Sequence, residues 1–154
     1  HPDRADEIQA MIRAQGLTGT RRSLGEKIGP ETQVYLADTL GETGTWYAAA
    51  PIVLLGGSLL PEIGGHNPFE PAQSGAAILT GPHVANFTET FGPMLDLGAA
   101  TGVATDNDIA ATVCSWLETP ETLDRKRTAA RDFAQSQAAA LDQVIETLIR
   151  RLSL

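Results

Sequence analysis

At 154 residues the chain is long enough to bury a core without disulfide or metal staples, and with 42% hydrophobic against 19% charged residues it reads as globular and not disordered. A net charge of -8 argues against a duplex nucleic acid as partner, since that binding needs clustered Lys and Arg, although a single phosphate can be held by backbone amides. The lone Cys114 excludes a disulfide framework and a thiolate metal site, the three histidines at 1, 66 and 83 are too scattered for zinc, and no metal or cofactor is expected.

Residues 3–15 carry Ile8, Met11 and Ile12 at helical spacing, with acids early, Arg13 late and Gly16 as a stop, which predicts an amphipathic surface helix. The polar stretch that follows holds at most a short strand around 18–22. VYLA at 34–37 predicts a strand ending in Asp38, and 41–50 a helix broken by Pro51. IVLL at 52–55 is apolar without alternation, the pattern of a strand covered on both faces. A helix over 68–74, a strand at 77–81, a loop at 82–87, a helix over 88–97, a strand near 99–105 and a helix over 107–117 capped by Asp106 continue the alternation. The final segment, 120–152, predicts one or two helices, with Leu123, Ala130, Phe133, Ala134, Ala138, Leu141, Val144, Ile145, Leu148, Ile149 and Leu152 at helical intervals. Strands alternating with helices at this pace predict a parallel sheet, an α/β Rossmann-like three-layer domain, with 1–154 as one domain. No stretch approaches the ~20 apolar residues of a membrane span. The chain therefore reads as soluble, its single cysteine suits a reducing cytoplasm, and its start at His1 without methionine reads as a piece of something longer.

In such sheets ligands bind beyond the carboxyl ends of the strands. The loops there are ADTLGETG (37–44), GGSLLPEIGGHN (56–67) and TGPHVANF (80–87), and with the helix starts after them they hold Asp38, Thr39, Glu42, Ser58, His66, Asn67, Glu70, His83 and Asn86. Residues 56–75 contain five glycines, and Asn67 and Glu70 stand three apart at a helix start with Pro68 at its first position. Glycines let amides approach an anion, and a helix start offers unpaired N–H groups, so this layout suits a phosphate and a ribose. Each residue also has a plainer reading. Asn67 serves as a helix cap, Glu70 as an acid favoured in a first turn, and Glu42 as a capping-box partner of Thr39. His66 equally suits a loop carbonyl, and Ser58 the end of its strand. His83 and Asn86 fit the shaping of the third loop, Trp46 and Tyr47 a helix core, and Cys114 a buried helix position. Arg21 and Arg22 are expected in a solvated loop, although the pair would also suit an anionic substrate.

DTLGETG at 38–44, GGSLLPEIGGHNPFEPAQSG at 56–75 and GPHVANF at 81–87 resemble the C-terminal domain of the bacterial 3-deoxy-D-manno-octulosonic acid (Kdo) transferases, whose pattern runs DTMGEL, GGSL with GGHNPLEPA, and GPHxxNF. The opening HPDR is similar to the family's HPER, and the match extends over about residues 1–105. The resemblance implies the donor-binding, C-terminal half of a GT-B glycosyltransferase. The donor substrate would be CMP-Kdo and the acceptor a lipid A precursor in lipopolysaccharide synthesis, at the cytoplasmic face of the bacterial inner membrane. It further implies that CMP is held by Leu40, Gly41 and Glu42 and by Asn67, Pro68, Phe69 and Glu70, with Ser58, Gly65 and His66 as further contacts. No catalytic residue is carried over. The catalytic acid, the acceptor surface facing the membrane and an arginine preceding HPER belong to a preceding segment of the family. Thr43 and Phe69 replace usual leucines, and 60–63 lacks the basic residue often found there. Two other readings remain at this point. One is a different GT-B enzyme or a sugar-nucleotide epimerase, whose diphosphate would want a basic residue that 37–44 and 56–70 lack. The other is a non-catalytic Rossmann-like regulatory domain.

Overall fold

The computed structural model describes residues 2–152, apart from the side chains of 141–145, 147 and 152. The chain divides into two compact units, His1–Thr43 and Gly44–Leu154. In the first, a turn of 3-10 helix at Pro2–Arg4 leads into helix α1 (Ala5–Ala14), and strands β1 (Gly19–Arg21) and β2 (Val34–Leu36) pair in parallel. Gly19 faces Val34 in that register, and Ile12 of α1 lies over Gly19 where a side chain would stand. Helix α1 ends as its sequence predicts. Gly16 takes φ 71°, its N–H bonds the Arg13 carbonyl, and the Leu17 N–H bonds that of Ile12, which is a Schellman cap.

The second unit opens with helix α2 (Thr43–Ala49), whose first residue closes the first unit, and carries a three-stranded parallel sheet in the order β3 (Ile52–Leu55), β4 (Ala77–Thr80), β5 (Ala100–Gly102). Crossovers run through helix α3 (Phe69–Gln73) and helix α4 (Thr88–Asp96), and helices α5 (Asp106–Glu118) and α6 (Pro120–Leu152) follow β5. The five strands thus form two separate parallel sheets where one was expected, the first with β1 and β2 alone.

Helices cover both faces of the larger sheet. Val53 and Leu55 of β3, Ile78 of β4 and Ala100 of β5 join Phe91 and Met94 of α4, Ala72 of α3, and Ala130, Phe133 and Ala134 of α6 on one side. Ala77 and Leu79 of β4 join Val103 and Trp116 on the other, with Ile52, Leu54, Ile109 and Val113 against them. The unbroken IVLL run is explained: alternate residues enter two different cores, and all four residues of the central strand β4 are buried. Fully buried Ile78, Leu79, Phe91 and Met94 contribute about 1.5–3 kcal/mol each by leaving water.

Several expectations change in detail. The helix predicted over 41–50 starts only at Thr43, because Gly41 takes φ 82°, outside the helical region. The cap of α5 is Thr105 and not Asp106; the Thr105 hydroxyl accepts the Asp108 N–H at 3.1 Å while the Asp108 carboxylate accepts the Thr105 N–H at 2.9 Å. Cys114 is exposed and not buried as expected. The C-terminal segment is one helix of 33 residues. Leu148 and Ile149 near its end are exposed, and the predicted stripe residues Leu141, Val144, Ile145 and Leu152 lie outside the described side chains. Among the described residues no helix is long and apolar enough to cross a membrane.

Candidate functional site

In the second unit the loops after β3 and β4 are fastened together at the carboxyl edge of the sheet. The Ser58 hydroxyl donates to the Leu55 carbonyl at 2.5 Å and accepts the Gly81 N–H at 2.6 Å, while the Ser58 carbonyl accepts the His83 N–H at 2.9 Å. Gly81 packs so closely that a Cβ there would overlap the Ser58 carbonyl. Further along, the Asn86 side chain donates to the Ile63 carbonyl and the Asn86 N–H to that of Gly64, both at 3.0 Å. Gly64 and Gly65, at φ 70° and 96°, complete the turn, with Gly65 buried against Val84. Asn86 therefore shapes the third loop, as expected. Ser58 is fully buried, and its hydroxyl ties both loops.

What this scaffold presents is a run of backbone donors. The N–H groups of Gly65, His66, Asn67 and Glu70 have no acceptor among the described residues. Asn67 is exposed and its side chain accepts the Phe69 N–H at 3.0 Å, but the expected cap and first helical position each move by one, with Pro68 at the cap and the helix starting at Phe69. Pro68 is buried and can offer only its backbone. Phe69 also turns inward: its ring stacks on Phe133 with centroids 6.1 Å apart, in the same core that Tyr47 borders. Glu70 is exposed one residue into α3, and burial first, then the negative charge of Glu70, pushes the Tyr47 phenol up. The exposed His66 lies with its imidazole over Gly57, in space that any side chain at 57 would occupy. The last glycine of the motif, Gly75, has a purely structural task. At φ 80° it ends α3 in a Schellman cap, and its carbonyl accepts Arg127 Nε at 2.8 Å.

In the first unit the turn 38–42 follows β2. Asp38 is buried, its side chain 2% exposed, and accepts the Ser23 N–H at 2.8 Å, the Ser23 hydroxyl at 2.6 Å and Arg21 Nε. Burial opposes its charge, but the bonds from Ser23 and Arg21 outweigh that and hold the carboxyl well below the usual range. Arg21 also pairs with Asp6. Glu42 accepts Arg22 Nη2 at 2.7 Å and Nε at 3.1 Å and takes the Thr39 hydroxyl as well. These bonds, that of Arg22 first, bring its pKa down to about 2. The expected Thr39–Glu42 pairing is present, although Glu42 precedes α2 and does not stand three residues into it. Leu40 is 81% exposed and Gly41 is exposed between the two anchored acids. A hollow of about 280 Å³, lined by Pro2, Ala5, Ile8, Leu36, Asp38, Thr39 and Leu40 among others, opens beside the turn. The solvated loop expected for Arg21 and Arg22 is not what forms; each arginine takes one acid of the turn. Among the described residues no cluster of three His, Cys, Asp or Glu side chains is arranged to hold a metal ion.

No protein-family model matches the chain. A solved structure described as the C-terminal CMP-Kdo binding domain of WaaA from Acinetobacter baumannii matches it with a TM-score of 0.83 at 32% identity, covering 88% of this chain and 70% of that one. This chain belongs to the Kdo transferase family. The Kdo transferase of Bordetella pertussis is 36% identical over 153 residues, 96% of this chain and 35% of that protein. A probable mitochondrial Kdo transferase of Arabidopsis thaliana is 34% identical over 144 residues, 92% of this chain and 32% of that protein. The chain thus spans about a third of the length of the curated Kdo transferases it matches. Its α/β fold with parallel sheets is that of the family's C-terminal domain, as the loop motifs implied, and the epimerase and regulatory readings fall away.

Proposed function

We propose that this chain is the donor-binding part of a Kdo transferase, working as one nucleotide-sugar domain within a longer two-domain enzyme. It binds CMP-Kdo, and the whole enzyme passes Kdo to a lipid A precursor at the cytoplasmic face of the inner membrane. The acceptor surface and the general base reside outside these residues. The observation that carries this reading is the run of unengaged N–H groups at Gly65, His66, Asn67 and Glu70, on a turn held rigid by the Ser58–Gly81 bonds, in a chain of this family. Such donors suit one phosphate. Neither 37–44 nor 56–75 contains Lys or Arg, as a diphosphate would want.

On this reading the amides of 65–67, with the imidazole of His66, take the phosphate oxygens, and the Glu70 carboxylate accepts from the ribose hydroxyls. Pro68 and Phe69 hold the spacing between them from within the core. Leu40, Gly41 and Glu42 make further contacts with CMP. Helix α3 has only 5 residues, so its dipole adds little and direct hydrogen bonds carry the anion. As the sugar–phosphate bond breaks, negative charge grows on the phosphate that CMP carries away, and donors already aimed there stabilise it without reorganising.

Calorimetric titration of the chain with CMP, CDP and UDP tests the reading. CMP is expected to bind best. Glu70→Ala is expected to weaken it about tenfold or more, the usual worth of a hydrogen bond involving a charged group, and Asn67→Ala to weaken it less directly, since the amide of 67 stays but the side chain that holds the Phe69 N–H and the turn is lost. Equal affinity for CMP and UDP, or CMP binding undiminished in both variants, sinks the assignment.

A further inference from the structure

We propose that Arg22 is a positioning residue for the nucleotide site, fixing the carboxylate of Glu42 in the orientation in which it meets the ligand. The inference rests on the reading that the segment 40–42 contacts CMP, and adds a residue to which that reading gives no role.

The geometry is a fork. Arg22 leaves the end of β1, where its N–H continues the pairing to the Leu36 carbonyl at 2.9 Å, and its guanidinium reaches the acid 20 positions later. Nη2 bonds Oε1 at 2.7 Å and Nε bonds Oε2 at 3.1 Å, one tooth on each oxygen, and the Thr39 hydroxyl bonds Oε2 from the other side. A carboxylate offers about four acceptor sites. Three are filled here, two on Oε2 and one on Oε1, so a ligand hydroxyl or amide can bond Oε1 without displacing the arginine. A two-toothed contact also fixes the plane of the carboxylate, which a single-point ammonium does not.

The neighbouring residue does the same for the other end of the turn. Arg21, next in the strand and so pointing to the opposite side, holds the buried Asp38, and Ser23 locks that acid further. Between the two anchored acids the exposed Leu40 and Gly41 have nowhere to drift. The side chains of Arg22 and Glu42 are 45% and 29% exposed, so their pairing adds little to stability in water. Preorganisation of a contact is a better account of a bidentate pair in that position.

The test is a double-mutant cycle read by CMP affinity on the 154-residue chain, with thermal melting as a control for folding. Arg22→Gln and Glu42→Gln are each expected to weaken CMP by about tenfold, as loss of an oriented charged hydrogen bond does. The double variant is expected to bind no worse than the weaker single one, because both substitutions remove the same contact. Arg22→Gln combined with Asn67→Ala, by contrast, is expected to show the product of the two single losses. Arg22→Lys keeps the charge without the fork; affinity several-fold below wild type supports the role, and it decides the question on that criterion if Arg22→Gln does not fold. If Glu42→Gln loses affinity while both Arg22 variants bind as wild type does, the positioning role is overturned and the site reading stands. Losses at 22 and 42 that multiply overturn it as well, and wild type that ignores CMP overturns both.

Discussion

A methyl group at Gly81 has to enter space held by the backbone carbonyl of Ser58, and Ser58 is fully buried with its hydroxyl bonded on both sides, so neither partner can yield cheaply. Gly81→Ala is expected to cost about 2–3 kcal/mol, at the upper end of overpacking. Ser58→Ala, which strands a buried N–H, is expected to cost about 1–3 kcal/mol. Both tryptophans, Trp46 and Trp116, lie in the second unit, so urea unfolding followed by their fluorescence reads these losses directly. A midpoint within error of wild type for Gly81→Ala means the two loops are not held as described. Acid acts on the other unit. Asp38, buried with its partners, has a folded pKa below its ordinary 3.8, so on acidification the unfolded chain takes up its proton first, while the more exposed Glu42 adds little to the effect. The stabilisation is complete above about pH 5 and is lost as pH falls toward 2. Amide NMR signals of 19–21 and 34–36 are expected to lose their protection from urea between pH 5 and pH 2.5; unchanged protection across that interval contradicts the network. The sequence displayed these acids, since a carboxylate beside Gly41 in a strand-end loop is conspicuous. It did not display their partners, because an arginine 17 or 20 residues upstream pairs through the β1–β2 register, which no local pattern encodes.

Helix α5 illustrates how an element can be visible while its edge is not. Its apolar spacing is plain, but TDND offers four successive capping candidates, and spacing alone does not choose among them. The structure chooses Thr105 because its extended backbone, at φ -130° and ψ 162°, aims its hydroxyl at the Asp108 N–H, while Asp108 returns the bond. Thr105→Ala is accordingly expected to cost about 1 kcal/mol and Asp106→Ala almost nothing. Equal losses in tryptophan-monitored unfolding would restore Asp106 as the cap. Helix ends with glycine were easier to see. Gly16 follows an apolar periodic segment and takes a left-handed φ in a Schellman cap, and the structure adds Gly75 and Gly98 in the same conformation. Strand β3 was equally open to reading, since a run with no polar residue has no solvent face to offer. The division of five strands into two sheets was hidden, because apolar runs state burial and say nothing of which neighbour supplies the hydrogen bonds.

For the chain as a whole, the decisive quantity is how much of the chemistry its residues can supply. It spans about a third of the length of the Kdo transferases it matches, and the groups at its strand ends are backbone donors, the His66 imidazole and carboxylates, two of them paired with arginines. On the proposed reading those groups hold and polarise the donor, while deprotonation of the acceptor hydroxyl requires a base within reach of that hydroxyl. Half-buried Glu42 and exposed Glu70 are poor choices for it. Arg22 and Thr39 hold Glu42 ionised down to about pH 2, which makes it a weak base, and Glu70 is assigned to the ribose. The chain is therefore expected to bind CMP but to release it from CMP-Kdo no faster with a lipid A precursor present than in buffer alone. Mixing it with the remainder of the enzyme is expected to bring acceptor-dependent release. Coupled detection of free CMP distinguishes the cases. Acceptor-dependent turnover by the isolated chain would locate the base among these 154 residues, and Glu70→Gln, which keeps the shape and removes the proton acceptor, would then show whether the carboxylate given to the ribose is the one that does the chemistry.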